Sequence, residues 1–164
     1  GTAELKALGD EADPKTRGAM LDESLTILKG LWSGNPFTFD GKHYQIPEPL
    51  TFKPEGKIKI WVGGNWHNKR PFRRAAEYDG IFPLKAGGVE PQDYREIMSY
   101  IRKYRKSLDA FDWVKSIVTV ADKEEDAYIH EFIDMGLDWL LEAFWPERSS
   151  LKEIQKRIEQ GPPE

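Results

Sequence analysis

Leu21, Leu25, Leu28 and Trp32 recur at steps of four, three and four, the spacing at which side chains return to one face of an α-helix. Asp13-Pro14 ahead of them supplies an N-cap and a proline at the first helical position. The pattern therefore predicts a helix from residue 14 with one buried stripe, ended by Ser33-Gly34-Asn35-Pro36. Phe37 and Phe39 then alternate with polar residues, Asp40-Gly41 makes a tight turn, and Tyr44 and Ile46 alternate again, which predicts a β-hairpin. Pro47, Pro49 and Pro54 carry an irregular connection into a short apolar strand, Ile58 to Val62, that ends at Gly63-Gly64.

From there one theme repeats, strand then helix with turn residues between, the pattern of a parallel sheet covered by helices. Arg70 to Tyr78 is a short helix with Phe72, Ala75 and Ala76 inward, and Asp79-Gly80 precedes the strand Ile81 to Leu84. Pro91 opens a longer helix whose stripe is Tyr94, Ile97, Met98, Ile101, Tyr104 and Leu108, followed by a strand from Trp113 to Val120. Asp122 and Glu125 stand in capping-box spacing before a helix carrying Tyr128, Ile129, Phe132 and Ile133, which Gly136 ends. Leu137 to Phe144 is the last strand, and a helix with Leu151, Ile154 and Ile158 on one face starts from the Ser150/Glu153 capping pair and stops at Gly161-Pro162-Pro163. Four mainly parallel strands, about five helices and one inserted hairpin are too few to close a (β/α)8 barrel, so the pattern fits half a barrel or a small open α/β sheet.

Composition narrows the choices. At 164 residues the chain is read as a single domain, 1–164, with 39% hydrophobic and 12% aromatic residues to build a core. A net charge of −4, with no long run of either sign, predicts neither a nucleic-acid nor an anionic-membrane partner. The chain has no cysteine and three scattered histidines, His43, His67 and His130, none at helical ligand spacing from another, so no metal site is expected. No stretch has the length of a membrane span, and the start lacks the basic and apolar regions of a signal peptide, so a cytoplasmic location is expected.

Several blocks carry a resemblance. Met20 to Leu28 with Leu31-Trp32, then Phe39-Asp40-Gly41-Lys42-His43-Tyr44, then Ile60-Trp61-Val62-Gly63-Gly64, resemble in order and spacing the second half of the luciferase-like monooxygenase family. Arg74-Ala75-Ala76, Asp79-Gly80, Pro83 and the ending from Trp139 extend the likeness over nearly the whole chain. The resemblance implies half of a TIM-type (β/α) barrel and a flavin-dependent oxidoreductase or monooxygenase using FMN or a deazaflavin coenzyme. Members of this type are about twice as long, so it also implies that the first half of the barrel, with its substrate-facing residues, is not in this chain. A truncated gene, a fragment and a short natural member, inactive alone, all fit that difference.

In such barrels ligands sit at the C-terminal ends of the strands. Gly63, Gly64 and Asn65 hold that position: without β-carbons the backbone of the two glycines can approach a phosphate and the following amides can donate, while Lys69, Arg70, Arg73 or Arg74 would add positive charge, Arg73 being counted with the cofactor-binding residues. Alternatively the two glycines only allow a sharp turn, and Arg74 pairs with Glu77 three residues on. His67, beside Trp66, is the best placed of the histidines for proton transfer or ring contact, although a loop histidine is more often a surface residue. Glu142 lies near the end of the last strand, where it would reach a cofactor or pair with Arg148. Trp61, Trp113, Trp139 and Trp145 are read as core and interface rather than a stacking box. No residue is assigned a catalytic role. Beside the redox reading stand two others: a non-catalytic half-barrel scaffold that self-associates through its open strand edges, and a module binding a phosphorylated small molecule. The partners expected are accordingly a second copy, in a dimer, or the absent N-terminal half, together with a small-molecule ligand.

Overall fold

The computed structural model describes residues 2–107, 110–119, 123–144 and 150–161. Leu108, Val120, the capping pair begun by Asp122, Trp145, Arg148 and Pro162-Pro163 lie outside the described residues. The chain forms two compact units, residues 1–58 and 59–164.

The first unit holds α1 (Thr2–Ala7), α2 (Pro14–Trp32) and an antiparallel hairpin of β1 (Phe37–Asp40) and β2 (Gln45–Leu50). Asp13 caps α2 as its spacing predicts, accepting the Thr16 amide at 2.7 Å. The stripe is only partly covered: Leu25 is buried, whereas Leu21 is exposed. What ties helix to hairpin is Glu23, whose carboxylate accepts the backbone N–H groups of Lys42, His43 and Tyr44 at 2.9 to 3.0 Å. Gly41 is required by that arrangement, since a β-carbon there would come 2.4 Å from Glu23 Oε2. Gly30 serves the other contact, because a β-carbon would overlap the Phe37 ring.

The second unit is the repeated β/α theme. It runs β3 (Trp61–Asn65), α3 (Lys69–Ala75), β4 (Gly80–Leu84), α4 (Pro91–Arg102), β5 (Asp112–Ile117), α5 (Lys123–Asp134), β6 (Trp139–Glu142) and α6 (Leu151–Glu159). The strands form one parallel sheet in the order β3-β4-β5-β6, as sequential β/α units with helical crossovers do. Phe72, Ala75 and Ala76 of the α3 region, Tyr94, Ile97, Met98 and Ile101 of α4, and Ile129 and Phe132 of α5 are buried, so the inward stripes read from spacing face the sheet. Tyr104 and Ile133, read as members of the same stripes, are exposed, as are Leu151 and Ile158 of α6.

The start of the sheet is laced by aspartates. Asp79, just before β4, accepts the Ile60 amide at 3.0 Å, and Asp138, just before β6, accepts the Trp113 amide at 2.8 Å. Asp112 reaches across a whole strand, taking Lys59 Nζ at 2.8 Å and Trp61 Nε1 at 2.7 Å. Gly80 lies between these partners, and a β-carbon there would stand 2.7 Å from both the Asp112 carbonyl and the Trp61 ring. Burial works to raise the Asp112 carboxyl, but the Lys59 and Trp61 hydrogen bonds outweigh it and hold it below the usual carboxylate range.

Candidate ligand face at the strand ends

Strand side chains alternate between faces, and the glycine pair shows which face is which. β3 lies further along the chain than the apolar run Ile58 to Val62 suggests, so Gly63 and Gly64 sit inside the strand rather than in a turn after it. Gly64 is buried toward α3, where a β-carbon would stand 2.4 Å from Pro71 Cβ; its lack of a side chain lets the helix lie against the strand. Gly63 points to the opposite face, and only the Phe82 carbonyl, at 3.8 Å, lies within 4 Å of where its β-carbon would be. The two glycines thus do different work: one packs a helix, the other leaves backbone open.

The face opposite the helices carries Trp61, Gly63 and Asn65 of β3, and by the strand register Gly80, Phe82 and Leu84 of β4. Trp139 of β6 joins it, with its ring 5.5 Å from that of Trp61. Asn65 and Leu84 are exposed at the C-terminal strand ends, while Phe82 is half-buried between them and the Trp61 end. A flat aromatic ring could lie on this apolar wall with its polar edge toward the Gly63 and Asn65 backbone.

Arg73 lies on α3, the helix that follows β3. Its guanidinium lies 5.1 Å from the Tyr104 ring centroid, on the helix layer beyond the end of α4. A basic residue one turn along α3 is carried away from the strand end from which that helix starts. His67 also leans into the helix layer, its ring 5.2 Å from that of Trp66, which in turn packs edge-on to Phe72. His43 donates its backbone N–H to Glu23, and His130 is exposed on α5.

Glu142 is already engaged. Its carboxylate accepts the Thr119 amide at 2.8 Å and the Thr119 hydroxyl, and Arg157 of α6 stands 3.4 Å away. Arg157 also donates to Thr119 Oγ1 at 2.6 Å and to the Gly161 carbonyl. This network fastens α6 beside the ends of β5 and β6. Sequence spacing missed it because its partners are 15 and 38 residues distant from Arg157, beyond any local pattern.

A second polar cluster was also not legible. Lys115, in the middle of β5, is 4% exposed and donates to the Val89 carbonyl at 2.7 Å, with its ammonium 4.2 Å from the Phe132 ring centroid. Burial pulls its pKa down to about 8, against the opposing influence of Glu90 and Asp93. Nearby, Lys85 at the end of β4 bonds both carboxylate oxygens of Asp93, at 2.8 and 2.6 Å. Among the described residues no cluster of His, Asp and Glu has metal-ligand geometry, and no helix is long and apolar enough to cross a membrane.

Comparison with known proteins agrees with this architecture. The profile of the luciferase-like monooxygenase family matches residues 1–161. Uncharacterized proteins of Mycobacterium tuberculosis and Mycobacterium bovis are 35% identical over 91 residues, which is 55% of this chain and 30% of theirs. An F420-dependent glucose-6-phosphate dehydrogenase of Microbacterium testaceum is 33% identical over 46 residues, 27% of this chain and 14% of that protein. Among solved structures, the EDTA monooxygenase of Chelativorans sp. BNC1 superposes with a TM-score of 0.54 at 16% identity, over 98% of this chain and 40% of that one. The last likeness is one of fold, and the chain spans less than half the length of these relatives.

Proposed function

The chain belongs to the luciferase-like monooxygenase family, and we propose that it supplies one wall of a flavin or deazaflavin site in an oxidoreductase, at the C-terminal ends of β3 to β6. The observation that carries this reading is the open backbone at Gly63, next to the apolar surface of Phe82 and Leu84. Those residues fit such a group: a glycine that leaves peptide atoms accessible, a polar Asn65 at the strand end, and a flat apolar wall of ring size. FMN or a deazaflavin, when bound, would supply the hydride chemistry, and the protein's part would be binding and orientation.

Within that division of labour, Gly63 admits the ligand to the strand backbone and Asn65 offers an amide to its polar edge. Phe82 and Leu84 exclude water from one face of the ring. Glu142 is occupied with Thr119 and Arg157, so its part is to hold α6 in place and not to exchange a proton with substrate. Arg73 and Gly64 fall outside the proposed contact set.

Titration of the chain with FMN and with a deazaflavin, followed by absorbance and fluorescence, tests the reading. Binding of either is expected, and Gly63→Val should weaken it about tenfold or more, the cost of a lost close approach of roughly 1.4 kcal/mol, with the far-UV circular dichroism spectrum unchanged. Wild-type protein that binds neither cofactor would overturn the proposal, as would an unaltered affinity in Gly63→Val.

A further inference from the structure

Lys115 carries a charge into the interior of the second unit. It stands within β5, and among the described residues it forms no ion pair; Glu90 and Asp93 favour its charged form only through space. Its ammonium lies 4.2 and 5.5 Å from the centroids of the Phe132 and Tyr128 rings of α5. Among the described residues it donates to one group, the Val89 carbonyl, at 2.7 Å. Burying an ammonium costs free energy that an apolar side chain of similar length would not. The gain from this lysine is therefore to be sought outside stability, and departures of this kind concentrate at functional sites.

What the bond holds is the turn between β4 and α4, residues 85–90, which leaves the C-terminal end of β4 directly after Leu84. Both stems of that turn are fixed. Lys85 donates to both carboxylate oxygens of Asp93, at 2.8 and 2.6 Å, and Asp93 also accepts the Glu90 amide at 3.0 Å. On the other stem Val89 is buried, with its carbonyl on Lys115. Between these anchors Gly87 and Gly88 have φ of +83° and +100°, which glycine adopts without strain. Both are exposed, with nothing within 4 Å of where a β-carbon would stand. The Gly88 N–H closes the turn on the Lys85 carbonyl at 3.0 Å, whereas the Gly87 N–H has no partner among the described residues.

Charge decides what this backbone would accept. Glu90 is exposed on the turn and Asp93 follows in the first turn of α4, so a phosphate would meet carboxylates there and an uncharged acceptor would not. We propose that Lys115 is a positioning residue: through Val89 it sets the turn so that the exposed Gly87-Gly88 backbone meets the carbonyl edge of the flavin or deazaflavin ring beyond the end of β4. The inference rests on the ligand reading given above, and it adds the element that recognises the ring rather than the phosphate.

Comparison of the wild type with Lys115→Met tests it. Hydrogen exchange at the Gly88 and Glu90 amides, both bonded within the turn, is followed by NMR and should be about tenfold faster in the variant, while Ile97 and Ile101 of α4 keep their protection. FMN or the deazaflavin, and the phosphate-free form of each, should bind about tenfold more weakly, by the same factor because they share the ring. The variant should nevertheless melt no lower than the wild type at pH 7, whereas a lysine serving only the fold would lower melting temperature and affinity together. Unchanged exchange at Gly88 and Glu90 would overturn the positioning role, whether or not a cofactor binds. Unchanged affinity, or a loss confined to the phosphorylated forms, would overturn the contact with the ring. Wild-type protein that binds no form of either cofactor would overturn the ligand reading and this ring contact with it, and the exchange rates would then decide the hold of Lys115 on the turn by themselves.

Discussion

Replacing Lys115 with methionine asks what a buried ammonium costs this fold. The side chain is 4% exposed, and burial shifts its pKa from 10.5 to about 8. At pH 7 the lysine is charged in both folded and unfolded states, and the shift corresponds to about 3 kcal/mol lost by folding with that charge inside. Methionine removes this cost, but it also removes the charged hydrogen bond to the Val89 carbonyl, worth roughly 2 kcal/mol. That carbonyl keeps only a long contact from the Tyr128 hydroxyl at 3.5 Å. The variant should therefore be about 1 kcal/mol more stable at pH 7. Above pH 8 the order reverses. The folded lysine has released its proton while the unfolded one still holds it, so the unfolded state binds more protons and wild-type stability rises with pH up to about 10.5. The methionine variant has no such gain, and by pH 10 it should be the less stable of the two by about 2 kcal/mol. Urea unfolding followed by tryptophan fluorescence at a series of pH values measures the difference directly, and other titrating groups cancel in it. A difference that stays constant from pH 7 to 10 would refute the account of Lys115 as a desolvated ammonium.

Three further substitutions probe the surroundings of the strand ends. Arg157→Ala strips Thr119 and Glu142 of their partner on α6 and should cost about 2 kcal/mol; amide hydrogen exchange should rise throughout Leu151–Glu159, and unchanged protection there would show that the arginine does not hold the helix. Gly64→Ala drives a methyl to within 2.4 Å of Pro71 Cβ and should lower stability by about 1 to 3 kcal/mol, whereas Gly63→Ala should leave thermal unfolding where it is. Equal melting temperatures for the two alanine variants would contradict the assignment of the glycines to opposite faces.

The alternation of strand and helix was legible because α3, α4 and α5 each have an apolar side that the sheet buries, and periods of 3.6 and 2 differ clearly over a dozen residues. Tyr94, Ile97 and Ile101 on α4 were placed inward by spacing alone, and all are fully buried. Where the reading slipped, tertiary packing was the cause. Gly63-Gly64 looked like a terminator of a strand starting at Ile58, but the close approach of α3 needs Gly64 inside β3, so the strand is Trp61–Asn65. Ile58, apolar by type, is left exposed. Of the candidate residues, Gly63 and Asn65 share one face of β3 and Gly64 takes the other, and the Arg73 guanidinium lies 5.1 Å from the Tyr104 ring centroid; spacing alone does not give the side of a helix on which such a residue stands. The fastening of Glu142 by Thr119 and Arg157 and the burial of Lys115 depend on partners from other elements, which no window of sequence contains.

The span from Lys59 and Trp61 to Asp112 over the bare backbone of Gly80 has a consequence for how the sheet assembles. A bond that skips a strand cannot form until the strand beneath it is laid down. In the folded sheet β3, β4 and β5 are thereby tied as a trio, and the Asp112 bonds are complete only when all three strands are in place. A side chain at Gly80 would meet both the Asp112 carbonyl and the Trp61 ring, and so would disturb all three strands at once.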